Sequence, residues 1–437
     1  MNFGWRRSTC LATGPFRPKT YYRALSHFRV VEHCVPAQHT RHYLGGAEPG
    51  HHSSLQLSVK QYIPKTTSSQ STPNAVTLIG AHGNGLPKEL FEPFWDDLYE
   101  HMMAKGQSIR SIWIADQAHQ GQSGVLNEQI LGDDPSWFDH ARDLLFLINL
   151  MQEAMPQPLF GVGHSMGASQ LVHLALLHPA LMQGLVLLDP VLQTTNPGKP
   201  YGRASTYRRE VWPSREQAKE SFAKSKFYQA WDPRVLDKWV EFGLRDLPTE
   251  LFPDVNAFDT ESPVTLTTAK QNEVHSFLRP LYKAGVDVSD SHRLSAYTDL
   301  DPRDYEPDYP FYRPEPAMLF RKLHELKPPV EYIFGRHSPL SSPDLNEQRL
   351  ELTGSGVGGS GGRSRGLVSG TEFDCGHFIP MEQPNAAAAQ TAQFIDRESR
   401  RWESQKLEFE VQWRQKPRPA RVTLDDDWRS HIGPKGG

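Results

Sequence analysis

Three residues in this 437-residue chain could together cleave an acyl bond: a serine, a histidine and an aspartate. The serine is Ser165, in Gly163-His164-Ser165-Met166-Gly167. A serine hydroxyl is a poor nucleophile at neutral pH. It needs a base within hydrogen-bond reach, and the base needs an orienting carboxylate. The surroundings of Ser165 suit that task. The apolar run Pro158-Leu159-Phe160-Gly161-Val162 is short enough for a buried strand, and Leu171, Val172, Leu174, Leu176 and Leu177 recur behind it as in a helix, up to His178-Pro179. Strand, sharp turn and helix would lift the Ser165 hydroxyl clear of the sheet, and Gly163 and Gly167 remove side chains that would collide there. The helix would open with unpaired N–H groups aimed where an oxyanion forms.

In such an order of elements the base is a histidine after the last strand. His377, in Asp374-Cys375-Gly376-His377, is the candidate, and Gly376 permits close approach. Two acids compete. Sheets of this layout commonly carry the acid after the penultimate strand, in a G-x-x-D pattern. Here Gly335-Arg336-His337-Ser338 has a serine at that place, and the nearest carboxylate is Asp344. Asp189 ends the strand after the elbow helix, next to the Ser165 strand, and could reach the same imidazole from another side. It is taken as the acid, with Asp344 as the alternative. Two backbone donors would hold the oxyanion: Met166, which follows the nucleophile, and one residue of His82-Gly83-Asn84-Gly85. Asn84 is chosen, and Gly85 could serve equally. Serine at the elbow, where an aspartate would signal other chemistry, points to an acyl-enzyme hydrolysed by water, with no metal and no cofactor. Cys375 reads as a small buried filler.

The elements that must position these residues alternate. Phe28-Arg29-Val30-Val31-Glu32-His33 and Leu55–Ile63 read as half-exposed edge strands, and residues 64–74 as a loop. Buried strands follow at Ala75–Gly80, Ile109–Ala115, Pro158–Val162 and Gly184–Leu188, with amphipathic helices from about Lys88 to Lys105 and from Trp137 to Met151. Residues 191–329 interrupt the series. This insert has helical patterns at Ser214–Ser225 and Arg234–Leu244 and holds Trp212, Phe222, Phe227, Tyr228, Trp231, Trp239 and Phe242. It should form a lid over the carboxyl ends of the strands, with most rings in its own core and a few lining a substrate tunnel. The sheet resumes at Val330–Phe334. A Gly/Ser run at 354–365 reads as a flexible loop, the last strand lies near Leu367–Phe373, and a helix from about Asn385 to Trp413 closes the fold. The expected fold class is therefore α/β, a mainly parallel sheet with helices on both faces and a large helical lid. The division is a tail at 1–27, a core in two parts at 28–190 and 330–413, the lid between them, and a loosely attached polar tail at 414–437.

Bulk properties exclude other classes. A net charge of -4 implies no nucleic-acid partner. No run approaches ~18 apolar residues, so no transmembrane segment is expected. Cys10, Cys34 and Cys375 are too few and too scattered for a disulfide framework or a zinc cluster, which fits a reducing compartment. His39, His42, His51 and His52 lack partner ligands and read as solvated loop residues. Residues 1–31 are basic, with Arg6, Arg7, Arg17, Lys19, Arg23 and Arg29 and one acid-free run, though Pro15 and Pro18 interrupt any helix.

Taken together these residues resemble the α/β-hydrolase fold. More narrowly, residues 28–412 are similar to the fungal peroxisomal lipase and toxin-biosynthesis group, which includes mycophenolic-acid acyl-CoA hydrolases. The resemblance rests on Leu57-Ser58-Val59-Lys60-Gln61-Tyr62, Lys88-Glu89-Leu90-Phe91-Glu92-Pro93, Ser111-Ile112-Trp113-Ile114-Ala115-Asp116 and Asp134-Pro135-Ser136-Trp137-Phe138-Asp139. Gly163–Gly167, Leu188-Asp189-Pro190 and Gly376-His377 complete it. It implies hydrolysis of an acyl-CoA thioester or lipid ester beside lipid or secondary metabolism, and an acid after the strand that follows the elbow helix, which is Asp189. Peroxisomal members end in a Ser-Lys-Leu-like tripeptide, whereas this chain ends Pro434-Lys435-Gly436-Gly437. The expected residence is intracellular, cytoplasmic or peroxisomal, with mitochondrial import as the alternative raised by the basic N-terminus. The expected partner is a small acyl ester or acyl-CoA. The competing reading is a non-catalytic protein of the same fold that binds an apolar ligand under the lid. Ser165 and His377 lying far apart would favour it.

Overall fold

A computed structural model describes residues 27–66, 74–196, 198–254, 262–282, 299–306 and 308–433. The basic tail lies outside the described residues except for His27. Its N–H donates to Asp96 at 2.9 Å and its ring approaches Glu100 at 3.0 Å, so it is tied to the helix beside it.

Among the described residues eight strands form the main sheet. They are β1 (Phe28–Pro36), β2 (Gln56–Pro64), β3 (Val76–Ala81), β4 (Ile109–Ala115), β5 (Leu159–His164), β6 (Gly184–Leu188), β7 (Val330–Gly335) and β8 (Val368–Phe373). Their order is β1-β2-β4-β3-β5-β6-β7-β8. The two leading strands are antiparallel to each other, and β2 is antiparallel to β4. From β4 through β8 every pairing is parallel. The two leading strands lie together at one end of the sheet as antiparallel members, as read from the sequence, but only β1 is an edge, because β2 pairs with both β1 and β4.

Side chains on successive strand residues go to opposite faces. Val76 and Leu78 of β3 and Ile112 and Ile114 of β4 join one buried cluster, while Ile79, Ala81, Trp113 and Ala115 join a second. Helix α1 (Glu92–Ala104) covers the first face with Phe94, Trp95 and Leu98. Helices α2 (Trp137–Leu150) and α3 (Met166–Leu177) cover the second with Leu144, Leu147, Leu171 and Val172. Burying a Leu-sized side chain contributes about 1.5–3 kcal/mol, so each face is held by many such contributions.

The segment 191–329 carries α4 (Gly198–Tyr207), α5 (Lys270–Phe277) and α6 (Glu315–Lys322), and α4 packs on α5. Between α4 and α5 lie helices Arg215–Ala223 and Pro233–Phe242, close to the spans read from sequence, and a small sheet centred on Val264–Leu266. Leu319, from α6, and the following Leu323 and Leu326 join the core cluster of α3. The insert's aromatics correct one expectation. Trp212, Phe222, Trp231 and Trp239 are buried in one cluster with Tyr228 packed on it. Phe242 lies under the ammonium groups of Lys60 and Lys238. None of the seven rings, Phe227 included, lines the cavity beside Ser165. They saturate one another first, because aromatic pairs within a few ångströms already remove their surface from water.

One further expectation changes. The Gly/Ser run is pinned. Gly354 N–H donates to Leu323 O, Gly356 N–H to His324 O and Ser360 N–H to Leu326 O, each at 2.8–2.9 Å. Positive φ at Gly354, Gly358, Gly361 and Gly362 lets the backbone make those turns. After α7 (Pro343–Leu352), helix α8 (Pro384–Gln415) packs on α1 and closes the fold. The tail beyond it forms short exposed helices at Arg418–Val422 and Asp426–Ile432. No helix among the described residues is long and apolar enough to cross a membrane.

Candidate active site

The turn between β5 and α3 is as tight as its glycines imply. Ser165 has φ 56° and ψ -120°. A Cβ on Gly163 would sit 2.7 Å from Ala168 Cα, and one on Gly167 would collide with the Ala81 carbonyl. Ser165 is held by its N–H donating to Leu188 O at 3.0 Å and its carbonyl accepting from Val191 N–H at 3.3 Å. Among the described residues only one other non-glycine has positive φ, and it is Asp189, at 43°. A backbone in that region costs on the order of 1–3 kcal/mol and persists where surrounding structure over-determines it. Asp189 is fixed by its N–H donating to Ile333 O at 2.8 Å.

The three chemical groups meet. Ser165 Oγ lies 2.9 Å from His377 Nε2, and His377 Nδ1 lies 2.5 Å from Asp189 Oδ2. An ionised carboxylate only accepts, so Nδ1 carries the proton donated to Asp189, and Nε2 is left to accept from the Ser165 hydroxyl. The separation that would have favoured a pure binding protein is absent. Asp344 lies elsewhere, exposed in the first turn of α7.

Asp189 is fully buried, and burial alone would raise its pKa. Hydrogen bonds from His377, Ser338 and Ser341 outweigh that and hold the carboxyl below its ordinary value. Ser338 Oγ donates to Oδ2, Ser341 Oγ donates to Oδ1, and Gly335 N–H donates to Oδ1 at 3.2 Å. So the serine found in place of an acid after the penultimate strand is itself a donor to the acid that stands one strand away. Sequence reading noted Ser338 only as a missing carboxylate; its hydroxyl was the signal. Arg349, fully buried on α7, was not foreseen either. Its Nε donates to Leu192 O at 2.9 Å, and burial lowers its pKa to about 10 against the pull of Asp189.

His164 also enters unannounced. Burial drives its pKa down to about 3, so the ring is neutral, and Nε2–H donates to the His377 carbonyl at 2.9 Å. This ties the base's loop to the residue before the nucleophile. Cys375 is a buried thiol whose pKa burial pushes up to about 12, unsuited to act as a nucleophile.

The loop expected to hold the oxyanion is braced from outside. Gly85 N–H is taken by Gln120 Oε1 at 2.9 Å, which removes Gly85 as the alternative donor. Asn84 Nδ2 donates to Glu273 O of α5 at 2.9 Å, and Gln120 Nε2 donates to Asn84 Oδ1 at 2.5 Å. The Asn84 side chain thus clamps loop to lid, leaving its backbone N–H for other use. Met166 N–H, first in α3, has no acceptor within its helix. Gly83, Asn84, Ser165, Met166 and His377 all line one cavity of about 570 Å³, its mouth included. Its other walls include Trp137, Tyr201, Phe277, Leu340 and Phe378.

The model of the alpha/beta hydrolase family matches residues 78–391. The chain belongs to this family. Among the similar hydrolases is the type I acyl-CoA thioesterase mpaH of Penicillium roqueforti (strain FM164), 37% identical over 424 residues, which cover 93% of this chain and 96% of that one. The type I acyl-CoA thioesterase mpaH' of Penicillium brevicompactum is 36% identical over 425 residues, with the same coverage of both chains. Among solved hydrolases, the peroxisomal α/β-hydrolase Lpx1 of Saccharomyces cerevisiae superposes with a TM-score of 0.64. The match covers 93% of this chain and 95% of Lpx1 at 15% identity, a likeness of fold.

Proposed function

We propose that this hydrolase cleaves acyl-CoA thioesters, and more slowly the corresponding esters, with Ser165 as nucleophile, His377 as general base and acid, and Asp189 as the orienting carboxylate. One observation carries the reading: the hydrogen-bonded chain from Ser165 Oγ through His377 to Asp189 opens into a largely apolar cavity. The two Penicillium relatives, named acyl-CoA thioesterases and alike over nearly the whole chain, favour the thioester.

Ser165 Oγ attacks the acyl carbonyl carbon while His377 Nε2 takes its proton. The resulting oxyanion is held by the N–H groups of Met166 and Asn84, which stabilise the charge as it develops. Collapse of the tetrahedral intermediate breaks the C–S bond, and the thiolate leaves with the proton from His377. Water then enters, gives a proton to His377 and attacks the acyl-enzyme. The second collapse frees the acid and restores Ser165. Asp189 stays ionised throughout and stabilises the imidazolium.

A fluorophosphonate probe tests this with wild type beside Ser165→Ala. Labelling of the wild type alone, followed by thiol release from acyl-CoA, is the expected result. A well-folded wild type that neither labels nor releases thiol would refute the assignment.

A further inference from the structure

The cavity beside Ser165 is mostly apolar, walled by Trp137, Met166, Val191, Phe277, Leu340 and Phe378. Among the polar residues that break that wall, two carry neutral donors without partners. The Tyr201 hydroxyl and the Asn196 amide nitrogen are buried, and neither has a hydrogen-bond partner among the described residues. Both residues line this cavity. Buried polar groups in folded proteins are nearly always paired, so two orphans on one cavity need a reason.

Two further polar groups on this wall, His164 Nδ1 and Arg313 Nε, are also buried without a partner, whereas Trp137 is satisfied. Trp137 Nε1 donates to Ser276 O at 2.8 Å. Asn196 Oδ1 accepts from Gly198 N–H at 2.8 Å, which fixes the amide so that only its nitrogen is left over. An amide nitrogen can only donate. Burial, and then the charge of Asp189, push the Tyr201 hydroxyl up to about 12, so it stays a neutral O–H. The Tyr201 ring stacks on Phe277 at 5.7 Å and packs against the cluster of Trp137, Met166, Val191 and Leu340, so its position is set by neighbours. Met166 belongs to that same cluster, which brings the tyrosine close to the reacting centre.

Resting on the reading that Ser165 cleaves acyl thioesters or esters, we propose that Tyr201 and Asn196 form a polar subsite for an oxygen atom within the acyl group. A carbonyl, ether or hydroxyl oxygen a few bonds from the scissile carbonyl would meet both donors. A plain hydrocarbon chain would fill the same volume and leave both unpaired. The enzyme therefore selects oxygenated acyl groups over simple fatty acyl groups. A pocket that hydrogen-bonds its ligand rejects the analogue lacking the partner far more strongly than an apolar pocket rejects a missing methylene.

The test uses octanoyl-CoA and analogues in which an ether oxygen replaces one methylene at successive positions. Binding to Ser165→Ala is measured by calorimetry, so the subsite is read without turnover, and hydrolysis is measured with the intact enzyme. At one or two positions the ether analogue should bind at least fivefold tighter than octanoyl-CoA. Adding Tyr201→Phe, which removes only the hydroxyl, should bring that ratio to within twofold of one. Asn196→Asp keeps an acceptor for Gly198 N–H but replaces the donor, and should bring the ratio below one. A ratio of one at every position, or a preference that survives both changes, overturns the subsite. Discrimination by Ser165→Ala with no hydrolysis by the intact enzyme supports the subsite and refutes the hydrolytic reading. Equal binding with ready hydrolysis of every analogue does the reverse.

Discussion

Asp189→Asn is the sharpest perturbation of the proposed catalytic chain. Four donors converge on the Asp189 carboxylate: His377 Nδ1–H, the hydroxyls of Ser338 and Ser341, and Gly335 N–H. A carboxylate accepts at about four lone-pair sites, whereas an amide offers two and adds two donors. Two of the four donors lose their acceptor, each at about 1–3 kcal/mol. The serine hydroxyls can rotate to accept from the new amide, so the stability loss sits near the lower end, about 2 kcal/mol. Asparagine tolerates a left-handed backbone, so φ of 43° is kept and the fold is preserved. Turnover should fall much further. The imidazole loses the partner that fixes its tautomer and stabilises its cation, a change of about 10⁴-fold in the serine-protease triad, or about 5.5 kcal/mol. The assay is kcat/KM for thiol release from an acyl-CoA, with a thermal melt on the same sample. Asp344→Asn, at an exposed position on α7, should stay within twofold of wild type. Activity of Asp189→Asn within tenfold of wild type, or a thousandfold loss in Asp344→Asn, would refute the assignment.

Other perturbations test the supports. Ser338→Ala removes one of the donors that hold the Asp189 pKa down; it should cost about 1–2 kcal/mol in urea denaturation and a few-fold in kcat, with Ser165 still labelled by fluorophosphonate. Gly167→Ala drives a methyl into the Ala81 carbonyl at the oxyanion loop, so the labelling rate should fall at least about 100-fold; an unchanged rate would contradict the tight turn. Stability should also fall on acidification. Burial pushes His119, His164 and His173 down to about 3 in the folded chain, while the unfolded chain protonates them near 6.5. Between those values unfolding takes up protons, so each contributes a loss of up to about 1.4 kcal/mol per pH unit as pH drops. The Asp189 contribution is retained above about pH 4 and is lost at lower pH, as the medium passes its depressed folded value. Asp96 and Asp139, which burial pushes up to about 6, work in the opposite direction below that pH, but the three histidines outnumber them. Urea midpoints should therefore decline from pH 7.5 to 5, most clearly between 7 and 6; a rise over that interval would contradict the buried neutral rings.

The sheet was legible because its residues announce both period and burial. The mainly apolar runs at 76–81, 109–115 and 184–188 form interior parallel strands, and the alternating run at 55–63 lies near one end of the sheet, between β1 and β4. The contact of Asp189 with His377 could be read because Asp189 closes such a run next to the strand of Ser165. What escaped was everything fixed by neighbours across long sequence distance. Ser341 acts on a residue 152 positions away, and His164 on a carbonyl 213 away. The lid misled for a related reason. Aromatic richness says that rings will be buried, but which of them face a ligand depends on the packing of helices. Those that do, Tyr201 and Phe277, sit outside the aromatic cluster that drew attention.

The position of Asp189 has a consequence for how the enzyme could be taken apart. The proposed oxyanion loop, nucleophile and acid all lie between residues 82 and 189, and of the proposed triad only His377 comes from beyond the insert. A chain cut within 191–329 would leave one fragment with nearly the whole catalytic apparatus and no base, and the other with a base and nothing to act on. In the intact chain the two sides of such a cut are joined along the parallel seam between β6 and β7, where Leu185 to Leu188 pair with Val330 to Ile333. Under the proposed mechanism neither fragment would hydrolyse an acyl bond alone, and activity would depend on that seam staying closed.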